Sequence, residues 1–382
     1  MVSKTIASLM DVDSTSTSLD AFSGLSKGDP APFWLFQGVC AAWGIDHARA
    51  ALNLITVSEN ATFVLLLDDV EEGVVRVSQP GYVGGPQAVA SEITWLNALH
   101  DIDGVNLINP VPTVRGTFVT GIRDMTGTVW TVVSTKFVEG TVLEDLENPA
   151  PYYVTIGRWA AMFHRQSRRW TPPAGFTRFN WDLSNMVGPS PRWGRWESAD
   201  LTEDERDVCT KALWKAMDVL IKVPRTAQTW GLIHADLRPS NVIRGPQGKL
   251  TVIDFDDAGY SWYLYDYASS LSFIEHEDYA PELASAWVKG YEEIAGTFSD
   301  DDLEIMSALS MIRRLQMLGW TTNHREDALP PGLARQQSSG SVTCAVRYLE
   351  DSRWLLRSWI GGQTGWYGVP LALSACRSRI DG

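Results

Sequence analysis

The 382-residue chain is acidic, with 46 Asp and Glu against 32 Lys and Arg for a net charge of −14, which disfavours nonspecific nucleic-acid binding and attraction to anionic membranes. Its composition, 45% hydrophobic and 20% charged, is that of a folded protein long enough for two lobes. No run approaches the ~20 apolar residues of a membrane-spanning helix.

The first 26 residues are rich in Ser and Thr, carry Asp11 and Asp13, and show no apolar core after Lys4. They predict a mobile lead-in rather than an export signal. Cys40, Cys209, Cys344 and Cys376 are scattered with no C-x-x-C pair, which predicts reduced thiols and a cytoplasmic setting. Residues 31–50 predict a bracing helix, with Phe33, Trp34, Phe36, Val39 and Trp43 on its apolar side. Apolar runs at 62–67 and 74–77, separated by acidic residues and Gly73, predict a hairpin. Arg76 is the only cation on its second strand. Pro86 then suits a first helical turn, and Val89, Ile93, Leu96 and Leu99 follow at helical steps with Glu92 on the same side. A carboxylate on an apolar stripe needs a partner, and Arg76 is the expected one. Two further strands are predicted at 116–122 and 128–135, and then the stretch 135–140 ahead of a mainly helical remainder.

Thr202 and Glu205 form a capping-box pattern ahead of a helix through Leu220. Next comes Leu232-Ile233-His234-Ala235-Asp236-Leu237-Arg238-Pro239-Ser240-Asn241, of the form His-x-Asp-Leu-x-x-x-x-Asn. Thirteen residues after Asn241, Asp254 ends the apolar run 250–253. Phosphoryl transfer needs an acceptor held in line, a divalent cation on the phosphates and positive charge near the equatorial oxygens. Asp236 suits the first task, as the catalytic base. Asn241 and Asp254 offer hard oxygen ligands of the kind Mg²⁺ shares with phosphates and water, and Arg238 can steady the transferring group. His234 reads as a structural residue of the loop. Asp256 suits either a second metal contact or a cap on the turn after Asp254. Beyond it, helices are predicted at 281–294 and 301–320, a loop at 327–340 and a helix at 341–358.

The segments Ser58-Glu59-Asn60-Ala61-Thr62-Phe63, Val74-Val75-Arg76-Val77, Ser91-Glu92-Ile93, the Asp236 loop, Ile253-Asp254-Phe255-Asp256-Asp257 and Tyr265-Asp266 together resemble the aminoglycoside phosphotransferase and choline kinase group. Within it, the likeness is to the bacterial branch labelled homoserine kinase type II or stress-response-kinase-like, and it runs from about residue 50 to about 325. The resemblance implies an α+β, two-lobed protein-kinase-like fold: residues 1–50 a mobile lead-in with a bracing helix, 51–137 a β-rich nucleotide lobe, and 138–382 a helical lobe with the catalytic loop, metal site and acceptor pocket. It implies ATP and Mg²⁺ as cofactors, with residues 58–62, including Ser58 and Asn60, in place of a Gly-rich loop. Arg76 replaces the strand lysine and pairs with Glu92 on the phosphates. The backbone around Phe137 would meet the purine, and Asp266 would accept hydrogen bonds from the catalytic loop.

The implied activity is ATP-dependent transfer of the γ-phosphoryl group to a hydroxyl or amine of a small polar metabolite or antibiotic. A Ser/Thr protein kinase of the stress-response type and a non-catalytic nucleotide-binding regulator are the alternatives. Seventeen Trp and eleven Tyr are many, and aromatic faces attract cations. Tyr260, Trp262 and Trp320 are therefore the candidate substrate contacts, with Asp256, Asp257, Glu275 and Glu277 as possible acids for an amino alcohol. Nothing in the spacing sets the oligomeric state.

Overall fold

The computed structural model describes residues 18–81, 84–323 and 332–356. Two compact units divide the chain, one of Met1–Ile93 and Asn109–Phe137, the other of Thr94–Ile108 and Val138–Gly382. One break between the units follows Phe137. Residues 94–108, expected in the first lobe, belong to the second unit, and the bracing helix is part of the first.

In the first unit, helix α1 (Phe33–Trp43) precedes strands β1 (Ala50–Val57), β2 (Asn60–Leu67) and β3 (Val70–Ser78), helix α2 (Pro86–Leu99) begins, and β4 (Val119–Arg123) and β5 (Val129–Lys136) follow. The strands form one sheet in the order β1-β2-β3-β5-β4, antiparallel throughout. The helix expected over 31–50 ends at Trp43 because Gly44 takes the left-handed conformation (φ 67°) and its amide caps the Cys40 carbonyl. That stop frees residues 50–57 to form β1, a strand the sequence reading did not contain. The hairpin turn is also tighter than expected. Asp68 and Asp69 both have positive φ, a two-residue turn whose twist matches the strands, so β3 starts at Val70. Phe63, Val75 and Val77 from the sheet meet Leu35 and Val39 of α1 and Phe22 in one core, each worth roughly 1.5–3 kcal/mol when fully buried.

The second unit contains β6 (Thr141–Val142), α3 (Tyr153–Ser167), α4 (Leu183–Val187), α5 (Glu203–Leu220), β7 (Trp230–Ile233), β8 (Val242–Arg244), β9 (Leu250–Val252) and β10 (Gly259–Trp262). Helices α6 (Tyr265–Ser270), α7 (Ala280–Ala295), α8 (Asp300–Asn323) and α9 (Leu333–Glu350) complete it. Thr202 and Glu205 form the expected capping box at the start of α5. Helices α3 and α7 lie backbone to backbone. A Cβ on Gly157 would sit 2.0 Å from the Trp287 carbonyl oxygen and one on Gly290 would sit 1.8 Å from that of Val154, so only glycine allows the approach.

The loop expected over 327–340 is a correction. Residues 324–331 lie outside the described ones, but α9 begins at Leu333 and runs through Ser338, Ser339 and Gly340. Those residues are weak helix formers; packing overrides them, because a Cβ on Gly340 would come within 2.4 Å of the Arg314 guanidinium and 2.8 Å of His276. The helix expected to reach 358 ends at Glu350, where Asp351 is extended. A β-sheet unit and a mainly helical unit together make the α+β class expected from the sequence.

Candidate active site

In the second unit β7 delivers the chain to His234 and pairs antiparallel with β10. After the Asp236 loop, β8 and β9 pair Val242 with Val252 and Arg244 with Leu250. This hairpin closes the thirteen-residue gap between Asn241 and Asp254, for the Ile253 amide donates to the Asn241 carbonyl at 2.9 Å. Two backbone positions are strained: Ala235 (φ 65°) and Asp254 (φ 61°) adopt the left-handed conformation without being glycine, at about 1–3 kcal/mol each.

What holds Ala235 there is Asp266, at the first turn of α6 and fully buried. Its Oδ1 accepts from the Ala235 amide at 2.7 Å and its Oδ2 from the His234 amide at 3.3 Å. His164 of α3 adds a third bond, Nε2 to Asp266 Oδ2 at 2.9 Å. Burial pushes the His164 imidazole below its ordinary pKa, so the neutral ring donates from Nε2 and accepts from the Tyr291 hydroxyl at Nδ1, 3.0 Å away. His234 is likewise held neutral by burial. Its Nδ1 accepts from the Asp236 amide at 3.4 Å and its Nε2 donates to the Ile253 carbonyl at 3.3 Å, which spans the loop and the Asp254 strand. Phe255 packs on the His234 ring, 4.5 Å between centroids.

The Asp236 carboxylate is ringed by donors. Asn241 Nδ2 reaches Oδ2 at 2.8 Å, Arg238 Nε the same oxygen at 3.2 Å, and Arg313 Nη2 of α8 reaches Oδ1 at 2.6 Å. Burial raises the pKa of this carboxyl, but the guanidinium groups of Arg238 and Arg313 outweigh it and hold the group below the usual range. Because Asn241 spends its amide nitrogen on Asp236, its oxygen is the atom it can offer a cation. Asp254 is exposed and Asp256 half-buried. Arg178 fastens the turn after Asp254, donating to the carbonyls of Asp256 and Ala258, while Trp181 Nε1 donates to that of Asp257 at 2.7 Å. Among the described residues no three His, Cys, Asp or Glu side chains converge as a metal cage. One amide and two carboxylates instead fit an ion that takes the rest of its shell from phosphates and water.

In the first unit Arg76 Nη2 lies 2.8 Å from both oxygens of Glu92, which is 2% exposed. The Ser58 amide donates to the Asn60 carbonyl across the β1–β2 turn, and Asn60 is buried opposite Ser78. The Phe137 amide donates to the Glu72 carbonyl at 3.1 Å, so a base contact from that nitrogen would first have to break a bond within the unit.

The aromatic candidates separate. Tyr260 is half-buried, with its backbone bonded to Phe179 and Trp181. Trp320 is half-buried and edge-on to Phe273 at 5.8 Å, and Phe273 in turn lies under the Arg238 guanidinium at 5.5 Å. Trp262 is buried edge-on against Trp230, which makes it packing rather than a surface for substrate. Glu275 is also withdrawn from any acceptor, being fully buried and bonded to Arg314 at 2.7 Å. Arg313 escaped the sequence reading altogether.

Comparison with known proteins accords with this geometry. Residues 55–305 match the model of the phosphotransferase enzyme family. The structure of a microcompartment-associated aminopropanol kinase is 32% identical and superposes with a TM-score of 0.74, covering 84% of this chain and 98% of that one. An amicoumacin kinase in complex with AMP-PNP, Ca²⁺ and Ami shares the fold at 17% identity, TM-score 0.63, over 82% of this chain and 92% of its own. Among curated proteins, amicoumacin kinase of Bacillus subtilis (strain 168) is 24% identical over 214 residues, 53% of this chain, and the match spans 60% of that protein's length. With the family model extending over well over half of the chain and over both Arg76 and the Asp236 loop, the chain belongs to the phosphotransferase enzyme family.

Proposed function

We propose that this protein transfers the γ-phosphoryl group of ATP, with Mg²⁺, to the hydroxyl of a small amino alcohol. The carrying observation is the Asp236 carboxylate, held by Asn241, Arg238 and Arg313 at the mouth of a hairpin whose second strand, β9, ends two residues before Asp254. Asp236 aligns the acceptor hydroxyl and takes its proton as the new O–P bond forms and the bond to the β-phosphate's bridging oxygen breaks. Its depressed pKa makes it a weak base, which suits a transition state with little bond formation to the nucleophile. Arg238, partly exposed and bonded at 3.2 Å to Asp236 and 3.5 Å to Glu144, is free enough to follow the transferring group. Asn241 and Asp254, with Asp256, are assigned to Mg²⁺, which when bound would neutralise phosphate charge. Ser58, Asn60, Arg76, Glu92 and the backbone near Phe137 are assigned to the nucleotide. The aminopropanol kinase relative supports an amino alcohol as acceptor, with Tyr260 and Trp320 as its aromatic contacts.

Among the described residues no helix is long and apolar enough to cross a membrane, and Cys40, Cys209 and Cys344 are free thiols. Cys376 lies outside the described residues. We place the enzyme in the cytoplasm, where ATP and a small acceptor meet.

ADP release from Mg-ATP should be stimulated by amino alcohols, aminopropanol foremost, within a panel that includes aminoglycosides, hydroxy amino acids and a generic protein acceptor. Labelling of protein alone would overturn the reading in favour of a protein kinase. The nucleotide assignment has its own check. Glu92→Gln removes the charge that orients Arg76 and should weaken Mg-ATP binding about tenfold, roughly 1.4 kcal/mol, in a calorimetric titration. Unaltered affinity would detach the ion pair from nucleotide binding.

A further inference from the structure

Helix α8 carries two adjacent arginines that are both buried, Arg313 and Arg314. Successive helical residues point about 100° apart, so the pair faces two different surroundings. Arg314 is an anchor. It donates to Glu275 at 2.7 Å, to Ser341 Oγ of α9 at 2.9 Å and to the Gln337 carbonyl at 3.0 Å, which fixes the rotation of α8. Arg313 then points at the catalytic loop, and each of its three nitrogens has its own acceptor: Nε to Ser272 Oγ at 2.8 Å, Nη1 to the Tyr265 hydroxyl at 2.8 Å, Nη2 to Asp236 Oδ1 at 2.6 Å. The acceptors are themselves held. Burial pushes the Tyr265 hydroxyl up to about 12, so it stays protonated and donates to Gln316 Oε1, while Ser272 donates to the Ser269 carbonyl at 2.7 Å. The Trp193 ring lies 5.0 Å from the guanidinium carbon.

The two arginines on Asp236 are therefore unlike. Arg238 is 22% exposed and can leave for a phosphate; Arg313 is 1% exposed and cannot. A carboxylate has about four lone-pair sites. Asn241 and Arg238 occupy Oδ2 and Arg313 occupies one side of Oδ1, which directs the remaining Oδ1 site. We propose that Arg313 is a positioning residue for phosphoryl transfer, a fixed fork that sets the plane of the Asp236 carboxylate and presents Oδ1 to the acceptor hydroxyl. The inference rests on the phosphotransfer reading above and adds a residue that lies beyond the span of the family match.

The charged and titratable groups around Asp236 are Arg238 and His234 from its own loop and Arg313 from α8, with Tyr265 of α6 and Glu144 acting on those arginines and Asp257 acting on Arg313 and Tyr265. Removing the Arg313 guanidinium leaves Oδ1 without its fixed donor, so the carboxylate should lose its set orientation. The test uses the full chain and compares wild type with Arg313→Met and Arg313→Lys by steady-state kinetics and by calorimetric titration of Mg-ATP.

In Arg313→Met kcat should fall about 10²-fold, with KM and Kd for Mg-ATP within about threefold of wild type. Arg313→Lys should restore only part of kcat, because one ammonium cannot span Tyr265, Ser272 and Asp236. An unchanged kcat in Arg313→Met, or a loss confined to nucleotide affinity, would overturn the proposal. If that variant does not fold, full kcat in Arg313→Lys would do so. A wild-type protein that binds Mg-ATP but turns over no acceptor would overturn the functional reading and with it the inference that rests on it.

Discussion

Asp236→Asn should lower kcat by about 10³-fold, within the 10²–10⁴ that a positioned acid–base group supplies, while Mg-ATP still binds with affinity within about threefold of wild type. Asparagine is the sharper substitution than alanine. Arg313 is 1% exposed, and an alanine would leave a buried guanidinium without its carboxylate, a loss of about 3–5 kcal/mol that confounds chemistry with folding. The amide oxygen can still receive Arg313, but the amide takes no proton from an acceptor, and its nitrogen turns a donor toward Asn241 and Arg238. Rate and nucleotide affinity should therefore separate. ADP release at saturating acceptor and calorimetric titration of the nucleotide measure them, and a rate loss below tenfold would remove Asp236 from the chemistry.

The same geometry fixes the sign of a pH effect. The folded carboxyl of Asp236 titrates below its ordinary range because Arg238 and Arg313 outweigh burial. Its contribution to stability is complete above the unfolded aspartate pKa and is lost as the pH falls through the lower folded value. The acid limb of activity attributable to this group should accordingly lie below the usual aspartate range, and Asp236→Asn should abolish that limb.

The parts of the site that could be read from the chain are those whose partners are close in sequence or fixed by one hairpin. Asp236 and Asn241 sit on the same loop, and a single β8–β9 turn brings Asp254 to them. Glu92 was legible by a different argument, since an acid on an apolar helical stripe demands a cation. The same argument applies to Arg313 and Arg314, two charges inside the apolar run of α8; but their partners lie 77 and 39 residues away, on elements whose placement no local pattern sets. Strand β1 was missed because its start depended on where α1 stopped, a matter decided by the backbone of Gly44. The first two turns of helix α9, ahead of the expected start at 341, were missed because their Ser and Gly residues argue against a helix until Arg314 and His276 are seen to need the space. For Trp262, aromatic character suggested a ligand surface, and only the opposing Trp230 shows that its ring is spent on packing.

The largest loss of stability should come from Asp266→Ala. Three buried donors converge on this carboxylate: the Ala235 amide, the His234 amide and Nε2 of His164. Alanine would strand all three in a site with no solvent access, and each unsatisfied group costs about 1–3 kcal/mol. A net loss of about 3–5 kcal/mol follows once partial relaxation is allowed. The Ala235 backbone would also lose the bond that holds its left-handed conformation, so the loop should relax toward ordinary φ and carry Asp236 out of register with Asn241. Stability and rate should thus fall together, in contrast to Asp236→Asn, which costs rate first. Asp266→Asn should recover part of the stability, since its one oxygen can still accept from the Ala235 amide. Urea unfolding of the full chain measures the difference. An Asp266→Ala protein within about 1 kcal/mol of wild type would mean that the loop is held by its own turn and that Asp266 is only a passive neighbour.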